Sequence, residues 1–180
     1  MTHRGTAVLA CLVAVLLVLA GSVVSRSAET KAPDFTLPNI AGQNVTLSEL
    51  LKEGPVIVDF WATWCKPCIK AFPELQQIFD SYKGCGLSLV AVSIDGPKSA
   101  SRVGALIKSK GNTFEVVLDT SQEVARKFHV GSVPRTVLIN TKGEVVYAVT
   151  GYRPENHKEL EAAVKALIPG GCPKTPAAKE

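Results

Sequence analysis

The most specific chemistry in this sequence belongs to two cysteines separated by two residues, in Cys65-Lys66-Pro67-Cys68. At that spacing both sulfurs can meet in a small ring and cycle between dithiol and disulfide. The same pair could form half of a zinc site. Zinc wants further ligands at short spacing, and the chain has no second Cys-x-x-Cys and no His-x-x-x-His. Redox exchange is the expected use, with Cys65 as the exposed nucleophile and Cys68 resolving the mixed disulfide it forms. No metal and no cofactor beyond the Cys65/Cys68 disulfide itself are expected.

The neighbouring residues indicate how such a pair would be held. Val56 to Trp61, opened by Gly54-Pro55, is an apolar run too short for a helix and reads as a buried strand. From Cys68 onward Ile69, Phe72, Leu75, Gln76 and Phe79 recur at helical spacing. The cysteines therefore fall at a strand-to-helix turn, where backbone N–H groups favour a thiolate. Lys66 places a cation beside Cys65 and should lower its pKa, within the limits that salt screening sets.

The formal net charge is +4, from 20 basic and 16 acidic residues. Setting aside Arg4 and Arg26 leaves 18 basic residues against the same 16, scattered and without an aromatic-interleaved stripe, so nucleic-acid binding is not expected. His3 and Arg4 precede an uncharged stretch from Gly5 to Ser25. It reads as an export signal at 1–28, either cleaved after Ser22 or Ser27 or retained as an anchor, since about 20 uncharged residues span a bilayer. The basic flank would leave the N-terminus inside and the rest outside. Cys11 lies within this stretch as a small apolar residue. An oxidising or disulfide-permissive compartment follows. The remaining cysteines are the Cys65/Cys68 pair, Cys85 and Cys172.

Arg26 to Lys31 reads as a linker, Ala32 to Pro38 as a proline-bounded edge strand, and Asn44 to Leu47 as a second short strand, after which Ser48 would cap a brief helix. The helix after the cysteines should be kinked by Pro73 and ended by Gly84 or Gly86. A buried strand over Leu87 to Ile94, a helix to about Lys110 and a strand over Phe114 to Leu118 follow. Thr120 or Ser121 would cap a short helix ending near Phe128. Arg135 to Asn140 and Val145 to Val149, joined across Lys142-Gly143, form an antiparallel hairpin. A last helix spans about Pro154 to Leu167. The tail over 169–180, rich in proline, lysine and alanine, reads as flexible. This alternation gives an α/β fold with a central mixed sheet and helices on both faces.

With these pieces in place the chain resembles thioredoxin-fold proteins, and more closely the TlpA/ResA-like extracytoplasmic thiol-disulfide oxidoreductases. The resemblance rests on Ala32-Pro33-Asp34-Phe35, Phe60-Trp61-Ala62-Thr63-Trp64-Cys65-Lys66-Pro67-Cys68, Phe72-Pro73-Glu74-Leu75, Val133-Pro134 and Leu138-Ile139-Asn140. It implies a thioredoxin-like domain over 29–168 with an N-terminal strand extension and a helix-strand insert. It also implies that Pro134 is a cis-proline facing the cysteines, that the Val133 backbone and Trp64 receive substrate, and that Gly151 keeps the groove open. Lys70, Arg135 and Arg153 would lie around the same pole, while His129 and His157 have no evident partner and read as surface or structural residues.

Two departures stand out. ResA-type relatives carry a glutamate three residues after the second cysteine, where this chain has Ala71. The acid sits instead at Asp59, where thioredoxin has its buried aspartate, and would take the proton from Cys68 as it attacks. In a thioredoxin fold the active-site helix and last helix end at the pole opposite the cysteines, so Cys85 and Cys172 are expected to form a structural disulfide, with two free thiols as the alternative.

The resemblance further implies exchange with protein thiols and disulfides, as a reductase serving for instance apocytochrome c, fed by a membrane thiol carrier. Residues alone leave two alternatives: a disulfide-donating oxidant, and copper delivery through the same thiolates. Copper-delivery relatives usually space their cysteines by three residues and add a distant histidine. A peroxiredoxin would need a threonine where Ala62 stands.

Overall fold

In chain order the computed structural model, which describes residues 31–168, contains β1 (Thr36–Pro38), β2 (Asn44–Thr46), α1 (Leu47–Glu53), β3 (Val56–Trp61), α2 (Lys66–Tyr82), β4 (Ser88–Ser93), α3 (Ala100–Lys110), β5 (Glu115–Leu118), α4 (Glu123–Lys127), β6 (Arg135–Ile139), β7 (Val145–Thr150) and α5 (Pro154–Leu167). The segment read as an export signal at 1–28, the tail at 169–180, Cys11 and Cys172 lie outside the described residues. Among the described residues no helix is long and apolar enough to cross a membrane.

The main sheet has the order β5-β4-β3-β6-β7. β3, β4 and β5 run parallel, β6 runs antiparallel to β3, and β7 closes the hairpin with β6. β1 and β2 pair as a separate ribbon tied to β5 by a bridge between Asn39 and Val117. Every residue of the central strand β3 is buried, which explains its unbroken apolar run. A strand covered on both faces needs no polar alternation.

Alternation along β3 sorts its side chains between two cores. Ile57 and Trp61 pack with Phe72, Leu75 and Ile78 of α2, Val103 and Ile107 of α3, and Leu160 and Val164 of α5. Val56, Val58 and Phe60 pack on the other face with Leu47, Val124 and Phe128. Asp59 therefore points to the same face as Ile57 and Trp61, the face that α2 covers.

Two expected helix caps are replaced by more distant or irregular ones. Ser48 does not cap α1; its N–H is taken by Asp34 Oδ1 at 3.0 Å, an acceptor brought in by the preceding ribbon. Neither Thr120 nor Ser121 begins α4. Its N-cap is Gln122 at φ 57°, and buried Asp119 accepts from the Ala125 N–H at 2.8 Å. In both places a carboxylate reaches an orphan helix amide that a local hydroxyl was expected to serve.

Candidate active site

β3 ends at Trp61, and the chain turns through Ala62-Thr63-Trp64 into α2. The Cys65 N–H bonds to Ala62 O at 3.0 Å, tightening the turn. Cys65 is the N-cap of α2 and Pro67 lies in its first turn, where a missing N–H costs nothing. The two cysteines form a disulfide with Cα atoms 5.3 Å apart. The Cys68 N–H donates to Cys65 Sγ at 3.2 Å. A thiolate on Cys65 would thus meet an aligned amide and the positive end of a 17-residue helix.

Exposure corrects one expectation. Cys65 is only 4 % exposed and Cys68 is fully buried. In the disulfide, Cys65 is therefore buried along with Cys68. The exposed apolar group at the site is Trp64, at 67 %. Lys66 is exposed at the start of α2, where water and salt screen its charge. Lys70 Nζ lies 5.5 Å above the Tyr152 ring, and Arg135 Nη1 donates to Thr150 Oγ1 at 2.8 Å.

The Val133–Pro134 bond is cis. The β3–β6 register runs only as far as Phe60 opposite Arg135, and no backbone hydrogen bond outside the named elements involves Val133 among the described residues. That leaves a short backbone edge beside the cysteine turn for an extended segment to pair with. Gly151 donates its N–H to Pro134 O at 2.8 Å. Gly151 has open space around it, a Cβ there meeting no atom within 4 Å. Its φ of 86° is what favours glycine.

Asp59 is fully buried. It faces Thr136 across the antiparallel pair β3–β6, and the Thr136 hydroxyl donates to Asp59 Oδ1 at 2.7 Å. Asp59 Oδ2 has no partner among the described residues. Loss of hydration raises its pKa from 3.8 to about 7, and the Thr136 bond only partly opposes this. A carboxyl on the α2 face that can be neutral or charged near neutrality suits proton exchange with Cys68.

Sequence reading missed Asp95. Buried at the C-terminal end of β4, it accepts from the Thr63 N–H at 2.8 Å, from the Thr63 hydroxyl at 2.6 Å and from Ser93 Oγ at 2.9 Å. It thereby fixes the turn that presents Trp64 and Cys65. The available signal was Ser93-Ile94-Asp95 at the same sheet edge as the cysteines. His157 was expected to be a surface or structural residue. It is half-buried and lines a cavity of about 30 Å³ between α2, β6, β7 and α5, with Ala71, Thr136 and Gly151. Its position three residues before Leu160 on the apolar face of α5 was the legible clue. His129 is exposed at φ 53°. Cys85 is disulfide-bonded, and the partner expected for it, Cys172, lies outside the described residues.

The model of the AhpC/TSA family matches residues 28–148. Thiol-disulfide oxidoreductase ResA of Bacillus subtilis (strain 168) is 40% identical over 132 residues, covering 73% of this chain and 72% of the relative. ResA of Geobacillus kaustophilus (strain HTA426) is 33% identical over 138 residues, 77% and 76% of the two chains. Among solved structures, a candidate thiol:disulfide interchange protein DsbE from Chlorobium tepidum superposes with a TM-score of 0.72 at 33% identity, covering 78% of this chain and 96% of that one.

Proposed function

The chain belongs to the AhpC/TSA family and is a ResA-like thiol-disulfide oxidoreductase, and from that premise we propose that it acts outside the cytoplasm as a reductase of protein disulfides. The observation that carries the reading is the Cys68 N–H donated to Cys65 Sγ at 3.2 Å, at the N-terminus of the helix that covers the sheet face to which the buried Asp59 points.

In the reduced protein the Cys65 thiolate attacks one sulfur of a substrate disulfide. A Cys65–substrate disulfide forms and the first substrate thiolate leaves. Cys68 then gives its proton to the Asp59 carboxylate and attacks Cys65 Sγ. The Cys65–Cys68 disulfide closes and the second substrate thiolate leaves, so the substrate gains the two electrons that the cysteine pair loses. The substrate backbone pairs at Val133, next to cis-Pro134, and an apolar substrate side chain rests on Trp64.

Export through the segment at 1–28, cleaved or kept as an anchor, puts this chemistry in the periplasm or on the outer face of the cytoplasmic membrane. There a membrane thiol carrier must return two electrons to the pair. Kinship with ResA supports reduction over oxidation and suggests the haem-site cysteines of apocytochrome c as substrate.

Trapping tests the assignment of roles. The Cys68→Ala variant, reduced and mixed with a disulfide-bonded Cys-x-x-Cys-His peptide, should accumulate a mixed disulfide by mass, and the Cys65→Ala variant should not. A mixed disulfide on Cys68 in place of Cys65 would reverse the roles.

A further inference from the structure

Asp59 is fully buried, so a proton it takes from Cys68 has no direct way to water. Its single hydrogen-bond partner among the described residues is Thr136. Thr136 lines the cavity between α2 and α5, and Asp59 does not. The cavity's volume, about 30 Å³, exceeds the roughly 10–15 Å³ that one water needs. Its polar lining includes Asn156, whose Oδ1 is buried without a partner among the described residues, and His157, whose Nδ1 is likewise unpartnered. Half-buried Tyr152 and Glu74, hydrogen-bonded to each other at 2.7 Å, connect the cavity with the surface.

We propose that Thr136 is a positioning residue that carries the catalytic proton from Asp59 to water in the cavity between α2 and α5. The inference rests on Asp59 acting as the base for Cys68. When Asp59 is ionised, the Thr136 O–H holds its Oδ1. When Asp59 is protonated, the carboxyl donates its proton to Thr136 Oγ, and Thr136 passes its own hydroxyl proton to a cavity water held by Asn156 and His157. No electron moves in this step, and the carboxylate is regenerated for the next turnover. Ala71 contributes to this place. A smaller residue leaves the room that water needs, while the acid acts from the sheet below.

Few other charges bear on the route. On the elements packed around it the titratable groups are Cys68, Lys70 and Glu74 of α2, Tyr147 of β7, Tyr152 after it and His157 of α5; Lys70 lies over the Tyr152 ring and the Tyr147 hydroxyl donates to Asn156 O. Arg135 of β6 is adjacent to Thr136 and by alternation points to the opposite face. β4 offers only Ala91 opposite Asp59.

The test is a single turnover of the reduced full chain with a bis(nitrobenzoate) disulfide at pH 8 in weak buffer. Its coloured thiolate stays ionised, so colour reports attack and closure while a pH indicator reports the proton. In the native protein proton release should keep pace with closure. In Thr136→Val it should lag by about tenfold, the first attack by Cys65 should be unchanged, and the pH midpoint of closure should rise by about one unit. Thr136→Ser should restore all three. If valine prevents folding, Thr136→Ala, which only removes atoms, carries the same comparison.

Asp59→Asn separates this inference from the reading beneath it. If Asp59→Asn closes at the native rate, Asp59 is not the base and both fall. If Asp59→Asn is slow but Thr136→Val releases its proton as promptly as the native protein, Asp59 stands and the Thr136 route is overturned.

Discussion

Asp95 holds Thr63 twice, through its backbone N–H at 2.8 Å and its hydroxyl at 2.6 Å. The carboxylate is buried at the end of β4, and Thr63 is two residues before Cys65 in the turn out of β3. The neighbouring strand thus sets the position of the nucleophile. Asp95→Ala would leave the Thr63 and Ser93 donors unpaired and should cost about 3 kcal/mol of stability in urea unfolding. The rate of Cys65 alkylation in the reduced protein should change as well, whereas an alanine in an exposed part of α3, at Ser101, should leave it alone.

Burial of Asp59 gives stability a pH dependence of known sign. Its pKa is raised from 3.8 to about 7, so between these values the unfolded chain releases a proton that the folded one keeps. Folding stability from this group is therefore full below about pH 4 and declines as pH rises to about 7, by roughly 4 kcal/mol in total. Asp59→Asn should flatten this slope and be the more stable protein at pH 8. Urea unfolding of both proteins between pH 4 and pH 8 checks it, and parallel curves would show that Asp59 keeps an ordinary pKa.

The bonded state of Cys85 leads to a mass-mapping prediction. Digestion without reductant should yield a peptide pair joining Cys85 to Cys172. Its loss in Cys172→Ser should destabilise the protein by about 4 kcal/mol, following the chain-entropy scale for a loop of this length. Recovery of Cys172 alkylated in unreduced protein would refute the pairing.

Close backbone approach at the far end of the sheet makes a prediction of another kind. A Cβ on Gly54 would lie 2.2 Å from Gly86 O, and one on Gly86 would lie 2.5 Å from Glu53 O. Gly86 also sits at φ 87° after the 3₁₀ turn Lys83–Cys85 that ends α2. Gly86→Ala combines a clash with a disfavoured φ and should lower the thermal midpoint by several degrees. Gly104→Ala, in α3 with nothing within 4 Å of the added carbon, should not lower it.

What was legible in the sequence follows from how local each cause is. β3, the hairpin β6–β7 and the bounds of α5 could be read because a short apolar run, a Lys-Gly turn and a helical period each act within a dozen residues. The Cys65/Cys68 turn was legible for the same reason. Thr136 was not, because its meaning lies in the cross-strand register that sets it opposite Asp59, 77 positions away in sequence. Asp95 stayed hidden because its partner Thr63 comes 32 residues earlier. The caps of α1 and α4 were misread because local hydroxyls lost to carboxylates brought in by tertiary structure. Exposure of Cys65 was not legible because burial at a turn depends on how distant elements pack over it, and the folded chain holds Cys65 4 % exposed in the disulfide.

On the proposed function this oxidoreductase donates electrons to protein disulfides. The most direct measurement is the reduction potential of the Cys65/Cys68 couple in the exported chain, equilibrated against graded thiol/disulfide buffers and read by Trp64 and Trp61 fluorescence. A value near that of thioredoxin, about −270 mV, is the result expected of a reductase. A value near the strongly oxidising end of the scale, about −120 mV, would contradict it and make the protein a disulfide donor.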